Sequence, residues 1–229
     1  MIWLLACTSK AEPQLQVVAA SSLVEAFTAI RHDFEQAHGL SVATTFAGSQ
    51  ILATQVRQGM PAHTFASANE RHLQELHEEG LARVPRPLAR NRLVLAVPES
   101  SPLHSFEQLS TCERLVVGTP ELPAGAYADE LLQNAAAHYS DWSAPPIVSR
   151  ETNVRYVRAK LSMGEADCAL IYASDLNAQP ELRGIHPPEA IAPEVLVFHA
   201  AMSPEATPWM AFVEDQGRAV LHEHGLEPL

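Results

Sequence analysis

The sequence predicts an α/β protein. Strand-like and helix-like segments alternate from Leu15 to the C-terminus, Gly and Ser punctuate the junctions, and two proline-rich stretches interrupt the rhythm. At 229 residues the chain is long enough for one large domain or two smaller ones with real cores. It holds 47% apolar and 18% charged residues and no low-complexity tract, as an ordinary globular chain does.

Leu15-Gln-Val-Val-Ala-Ala20 is the first apolar run. From Ser22 to Gly39, Leu23, Ala26, Phe27, Ile30 and Phe34 recur at helical spacing, Ser22 and Glu25 have the form of a capping box, and Gly39 stands where a helix would end. Leu40 to Ala47 reads as strand, Ser49 to Gly59 as helix, and His63 to Ala68 as strand, with Asn69 capping a helix to Gly80. Ala82 to Leu88 carries two prolines and breaks the alternation.

The alternation resumes with strands at Leu93–Val97 and Leu115–Gly118, a helix at Tyr127–His138, a strand at Ile147–Ser149, a helix at Val154–Met163 and a strand at Ala169–Tyr172. A second proline-rich stretch, Ile185 to Pro193, precedes a strand at Val195–His199. Pro208 to His224 is helical, with Trp209, Phe212, Val213, Val220 and Leu221 on its buried face. The two interruptions suggest a chain that leaves one lobe, builds a second and returns. Periodicity fits a single continuous α/β domain equally well.

Four segments place a small or hydroxyl residue between a strand end and a helix start: Ala19-Ala-Ser-Ser-Leu23, Phe46-Ala-Gly-Ser-Gln50, Leu122-Pro-Ala-Gly-Ala-Tyr127 and Glu151-Thr-Asn-Val-Arg155. A helix N-terminus offers unpaired N–H groups and a partial positive charge, and so attracts anions without a cationic side chain. Taken singly, each such segment is ordinarily a helix cap; the case for an anion site rests on four occurring together. A net charge of -12, with 15 Lys and Arg, disfavours nucleic acid. It does not disfavour an anion held by neutral dipoles inside a cleft, because surface carboxylates are screened over about 8 Å.

Catalytic readings find little support. No Gly-x-Ser-x-Gly elbow is present, and Ser49 lies in Ala-Gly-Ser-Gln-Ile. The 11 His residues include His72 and His77, five apart, and His222-x-His224, neither with zinc-ligand spacing. Four Tyr are too few for a clustered ferric site. At the start of the chain, Leu4-Leu-Ala-Cys7 followed by a polar run has the form of a lipobox, so Cys7 is expected to be acylated. Export would put Cys112 and Cys168 where they can pair, but two buried free thiols fit equally.

With these segments in view, the sequence resembles the periplasmic molybdate-binding proteins of bacterial ABC transporters from Leu15 to Gly225. The matching stretches include Ala19-Ala-Ser-Ser-Leu-Val-Glu-Ala26, Phe46-Ala-Gly-Ser49, Gly118-Thr-Pro-Glu-Leu-Pro-Ala-Gly-Ala-Tyr127, Asn153-Val-Arg155 and Gly164-Glu-Ala-Asp-Cys-Ala-Leu-Ile-Tyr-Ala-Ser-Asp175. His63-Thr64 and Asn69 depart from the family's usual residues, and Ser21 adds a second hydroxyl beside Ser22.

The resemblance implies a two-lobed periplasmic-binding-protein fold, each lobe a mixed sheet flanked by helices and joined by a two-segment hinge. Residues 1–14 would be signal and tether, 15–88 with 195–229 the first lobe, and 89–194 the second. It implies a non-enzymatic, monomeric receptor that captures molybdate, with tungstate as a substitute, between the lobes and delivers it to a membrane permease. The anion would be held by the hydroxyls of Ser22, Ser49 and Tyr172 and the backbone amides of Ala124 and Val154. The metal is then touched only through its oxygens, and no cofactor is needed. The protein would sit in the periplasm or on the outer face of the cytoplasmic membrane, anchored through Cys7. A receptor for another small oxyanion or solute, or a sensing domain of the same fold, is the alternative.

Overall fold

The computed structural model describes residues 15–177 and 179–229; the Cys7 lipobox lies outside them. Eleven strands and seven α-helices form two mixed sheets among these residues.

In the first sheet, β1 (Leu15–Ala20) lies parallel to β2 (Val42–Ala47) and β3 (Thr64–Ser67). α1 (Val24–His38), α2 (Ser49–Arg57) and α3 (Arg71–Glu78) connect and follow them. β4 (Arg86–Asn91) belongs to the same sheet. The chain then crosses at Arg92 into β5 (Leu93–Pro98) of the second sheet.

There follow β6 (Leu115–Gly118), α4 (Pro123–His138), β7 (Ile147–Glu151), α5 (Val154–Ser162), β8 (Cys168–Tyr172) and β9 (Leu182–Ile185). β6 pairs parallel with β7 and β8, and β5 antiparallel with β8 and β9. The chain returns through β10 (Val195–Ala201), which runs antiparallel between β3 and β4. α6 (Thr207–Glu214), α7 (Gly217–Glu223) and the short β11 (Glu227–Pro228) complete the first sheet.

β1 is apolar from Val17 to Ala20 because both of its faces are buried there. Val17 and Ala19 join the cluster containing Phe27, Ile30, Phe34, Trp209 and Phe212, whereas Val18 joins Leu52, Phe65, Leu73 and Leu76 on the opposite face. The Phe34 ring meets Trp209 and Phe212 edge-on at 5.3 and 5.4 Å. Each large side chain removed from water this way contributes about 1.5–3 kcal/mol.

Several local expectations are corrected. The proline-bearing stretch before Asn91 contains β4. Pro87 fits because it sits beside the bulge at Val197/Phe198 and beyond the reach of β11, which pairs only with Ala89 and Arg90, so no partner there needs its missing N–H. The Ser22–Glu25 capping box does not form. A 3-10 turn at Ser21–Leu23 precedes α1, Leu23 takes the N-cap position, and no side chain caps the helix. Asn69 does not cap α3 either: Glu70 takes the N-cap position and no side chain caps the helix. The C-terminal helix breaks at Asp215 into α6 and α7. Gly39 does close α1 in the left-handed conformation, at φ 65°.

Cys112 and Cys168 form a disulfide across 56 residues of chain, with Cα atoms 6.5 Å apart. The pairing decides between the two states left open by the sequence. Among the described residues no helix is long and apolar enough to cross a membrane.

Candidate functional site

The first sheet delivers two of the anticipated residues. Ser22 follows β1 in the 3-10 turn, and Ser49 is the first residue of α2 after β2. The second sheet delivers the other three: Ala124 in the first turn of α4 after β6, Val154 at the start of α5 after β7, and Tyr172 at the end of β8. All five are buried, at 6% relative exposure or less.

Contacts between their chain neighbours join the five segments into a circuit. Arg155, next to Val154, donates from Nε to the Ser21 carbonyl at 3.1 Å, and its guanidinium pairs with Glu25. Gln50, next to Ser49, donates from Nε2 to the Thr152 carbonyl at 2.8 Å. The Ala68 N–H donates to Ser49 Oγ at 3.2 Å. A few residues further on, His72 of α3 places Nε2 3.3 Å from the Glu121 carbonyl, in the turn leading to Ala124. Tyr127, one turn after Ala124, interacts electrostatically with the Tyr172 phenol. The circuit closes where Arg158 of α5 donates to the Asp175 carbonyl at 2.9 Å, three residues after Tyr172.

Local chemistry suits these positions to an anion. α1, α2 and α4 begin without any side-chain cap. In α4 the Leu122 carbonyl takes the N–H groups of Gly125 and Ala126 at 2.9 and 3.0 Å, so the Ala124 N–H lies outside the helical ladder. Pro123 before it has no N–H to leave unpaired. In α5 the Asn153 side chain accepts from Arg155 N at 2.9 Å, which occupies a different N–H from that of Val154.

The first turn of α4 approaches β6 closely because glycine stands on both sides. A Cβ on Gly118 would lie 2.8 Å from Gly125 N, and one on Gly125 would lie 2.6 Å from the Gly118 carbonyl carbon and closer still to the Thr119 oxygen.

Two of the three hydroxyls, Ser22 Oγ and Tyr172 OH, are buried without a hydrogen-bond partner among the described residues. A buried polar group in that state costs about 1–3 kcal/mol, which a native fold seldom tolerates without a use for it. Burial, with smaller contributions from Tyr127 and Asp175, pushes the Tyr172 phenol well above its ordinary pKa, so it stays protonated and able to donate. Burial also pushes Tyr127 up to about 12, against a backbone hydrogen bond with Leu196.

Among the described residues, Asp175 is the one carboxylate that is buried. Burial raises its pKa to about 7, while Arg158 and a hydrogen bond from the Tyr172 N–H oppose that. Among the described residues no group of three or more His, Cys, Asp or Glu is placed to hold a bare metal ion. Gln50, Thr152 and Arg155 were not singled out from the sequence, and His72 was weighed only as a zinc ligand. Nothing in their local pattern marks them, apart from adjacency to Ser49 and Val154.

Residues 15–227 match the family of bacterial extracellular solute-binding proteins. The chain is 34% identical over 180 residues to the molybdate-binding protein ModA of Mycobacterium tuberculosis (strain ATCC 25618 / H37Rv), covering 76% of this chain and 67% of that protein. The fold superposes on the periplasmic molybdate-binding protein of Azotobacter vinelandii with a TM-score of 0.78 at 16% identity, covering 93% of this chain and 98% of the other. It also superposes on the sulfate-binding protein SubI of Mycobacterium tuberculosis H37Rv, with a TM-score of 0.78 at 15% identity and coverage of 94% and 86%. The expected two-lobed architecture of mixed sheets flanked by helices holds. The chain belongs to the bacterial extracellular solute-binding protein family.

Proposed function

We propose that this protein is the molybdate receptor of an ABC importer, and that it holds the dianion between its two sheets through uncharged donors. The reading assigns the hydroxyls of Ser22, Ser49 and Tyr172 and the amides of Ala124 and Val154 to the anion's oxygens. One observation carries it: Ser22 Oγ and Tyr172 OH, contributed by different sheets, are both buried and both lack a partner among the described residues. The identity to ModA of Mycobacterium tuberculosis directs the choice among anions.

Each hydrogen bond to a charged group contributes about 1.5–3 kcal/mol. Several of them, less the cost of desolvating the ion, reach about -8 kcal/mol or beyond, a micromolar or tighter affinity. Tungstate, of the same shape and charge, would bind in the same way. The metal itself is never touched by protein atoms, and the protein performs no chemistry on it.

The closing bodies are residues 15–88 with 195–229 and residues 89–194. Strand membership supports this division, since the first sheet draws on 15–91 and 195–228 and the second on 93–185. The receptor acts as a monomer in the periplasm or at the outer face of the cytoplasmic membrane, is tethered through Cys7, and hands its cargo to the permease. The family description, an extracellular solute-binding protein, supports the placement outside the cytoplasm.

A fold shared with a sulfate-binding protein does not choose the oxyanion, so sulfate is the natural competitor. Isothermal calorimetry with molybdate, tungstate, sulfate and phosphate tests the choice. Molybdate and tungstate are expected to bind at about micromolar concentration or below, with sulfate and phosphate much weaker. Equal affinity for sulfate would move the assignment to a general oxyanion receptor, and no binding of any of the four would end it.

A further inference from the structure

Two side chains cross between the sheets at one place, the start of α5. From the first sheet Gln50 reaches the Thr152 carbonyl at 2.8 Å. From the second, Arg155 reaches the Ser21 carbonyl at 3.1 Å and pairs with Glu25. The partners are 102, 134 and 130 residues apart in the chain, so only the tertiary fold brings them together.

The residues involved adjoin the proposed donors: Gln50 follows Ser49, Arg155 follows Val154, and Ser21 precedes Ser22. Gly48 makes the approach possible, because a Cβ there would lie 2.8 Å from the Thr152 oxygen and 2.6 Å from the Gln50 amide. Asn153 holds Arg155 N at 2.9 Å, which fixes the peptide from which the guanidinium extends.

We propose that Arg155 and Gln50 are positioning residues that latch the Thr152–Arg155 segment across the cleft and so set how long the bound anion stays, not how fast it enters. The proposal rests on the anion site assigned above. Contacts that join the two bodies stabilise the closed state and leave the open one untouched. Entry occurs in the open state, so the latch acts on dissociation. Arg155 adds little long-range attraction for the anion, because Glu25 matches its charge.

Stopped-flow binding of sodium molybdate to the full chain tests this. Arg155→Gln is expected to raise koff about tenfold to a hundredfold, the range that one charged hydrogen bond is worth, and Gln50→Ala about threefold to tenfold. Association should stay within about twofold of wild type. Arg155→Lys should recover part of the loss, since one ammonium can replace only one limb of the fork. Glu25→Gln combined with Arg155→Gln should be no worse than Arg155→Gln alone, whereas adding Gln50→Ala should multiply the effect.

A merely structural contact would instead lower ligand-free stability. The ligand-free Tm is expected to move by less than about 2 °C. Unchanged koff, a loss confined to kon, or a fall in ligand-free stability as large as the loss of binding overturns the latch. If wild type binds none of the oxyanions, the site assignment fails, and small-angle scattering then judges the latch alone. Arg155→Gln/Gln50→Ala must enlarge the radius of gyration of the wild-type chain, and an unchanged radius overturns it.

Discussion

The three hydroxyls of the proposed cage differ in what they do without a ligand, and substitution should expose the difference. Tyr172 OH has no partner among the described residues, so Tyr172→Phe removes no internal hydrogen bond. It is expected to weaken molybdate binding by about 1.5–3 kcal/mol while leaving the ligand-free protein at least as stable, as calorimetry and thermal melts would show. Ser49 Oγ accepts the Ala68 N–H. Ser49→Ala should therefore weaken binding by a similar amount and also cost about 1 kcal/mol of ligand-free stability.

Asp175 yields a pH prediction. Its folded pKa is about 7, above the ordinary 3.8 of the unfolded chain, so the unfolded state releases this proton first as pH rises. The carboxyl's contribution to stability therefore falls between about pH 4 and pH 7 and is flat above that. Asp175→Asn should remove this slope and raise stability at pH 8 relative to wild type in denaturant titrations across that range.

Among the elements, α4 and β6 show how small residues set geometry. Gly118 and Gly125 let the first turn of the helix rest on the end of the strand, which places Ala124 at the cleft. Gly125→Ala should force them apart, costing about 1–3 kcal/mol of stability, and should weaken molybdate binding because Ala124 moves with the turn. Denaturant unfolding beside calorimetry checks both.

The helices were legible wherever apolar spacing and a terminator agreed, as in α1 with Phe27, Ile30, Phe34 and Gly39. β4 was not, because Pro87 reads as a strand breaker until the bulge opposite it is known. β9 was missed because Leu182-Arg-Gly-Ile185 is too short to show alternation and owes its order to pairing with β5. The Ser22–Glu25 capping box was misread for a related reason. Glu25 turns to Arg155 of α5, and a 3-10 turn carries Ser22 away from the helix end.

For the whole molecule, the disulfide and the charge make separate predictions. The Cys112–Cys168 bridge joins the end of a 3-10 segment to the start of β8, the strand that ends in Tyr172. Closing 56 residues restricts the unfolded chain, so reduction should lower stability by about 2–4 kcal/mol, read from melts with and without a thiol reductant. With a net charge of -12 the surface repels a dianion over long distances at low salt, but the buried donors are little affected by ions in solution. Molybdate affinity is expected to change by less than about threefold between dilute buffer and ~0.5 M salt, measured by calorimetry.

Periodicity and the placement of Gly, Pro and Ser specified most helices, several strands and the four strand-to-helix junctions, because those depend on backbone preferences within a few residues. Four of the five candidate donors lie at those junctions and Tyr172 at the end of a strand, and all five became nameable through the family resemblance. Sheet order, the pairing of Cys112 with Cys168, the unpaired state of Ser22 Oγ and Tyr172 OH, and the Gln50–Thr152 and Arg155–Ser21 crossings did not follow from the sequence. Each depends on residues far apart in the chain meeting in a low-dielectric interior, where partners are assigned by packing and no local pattern records them.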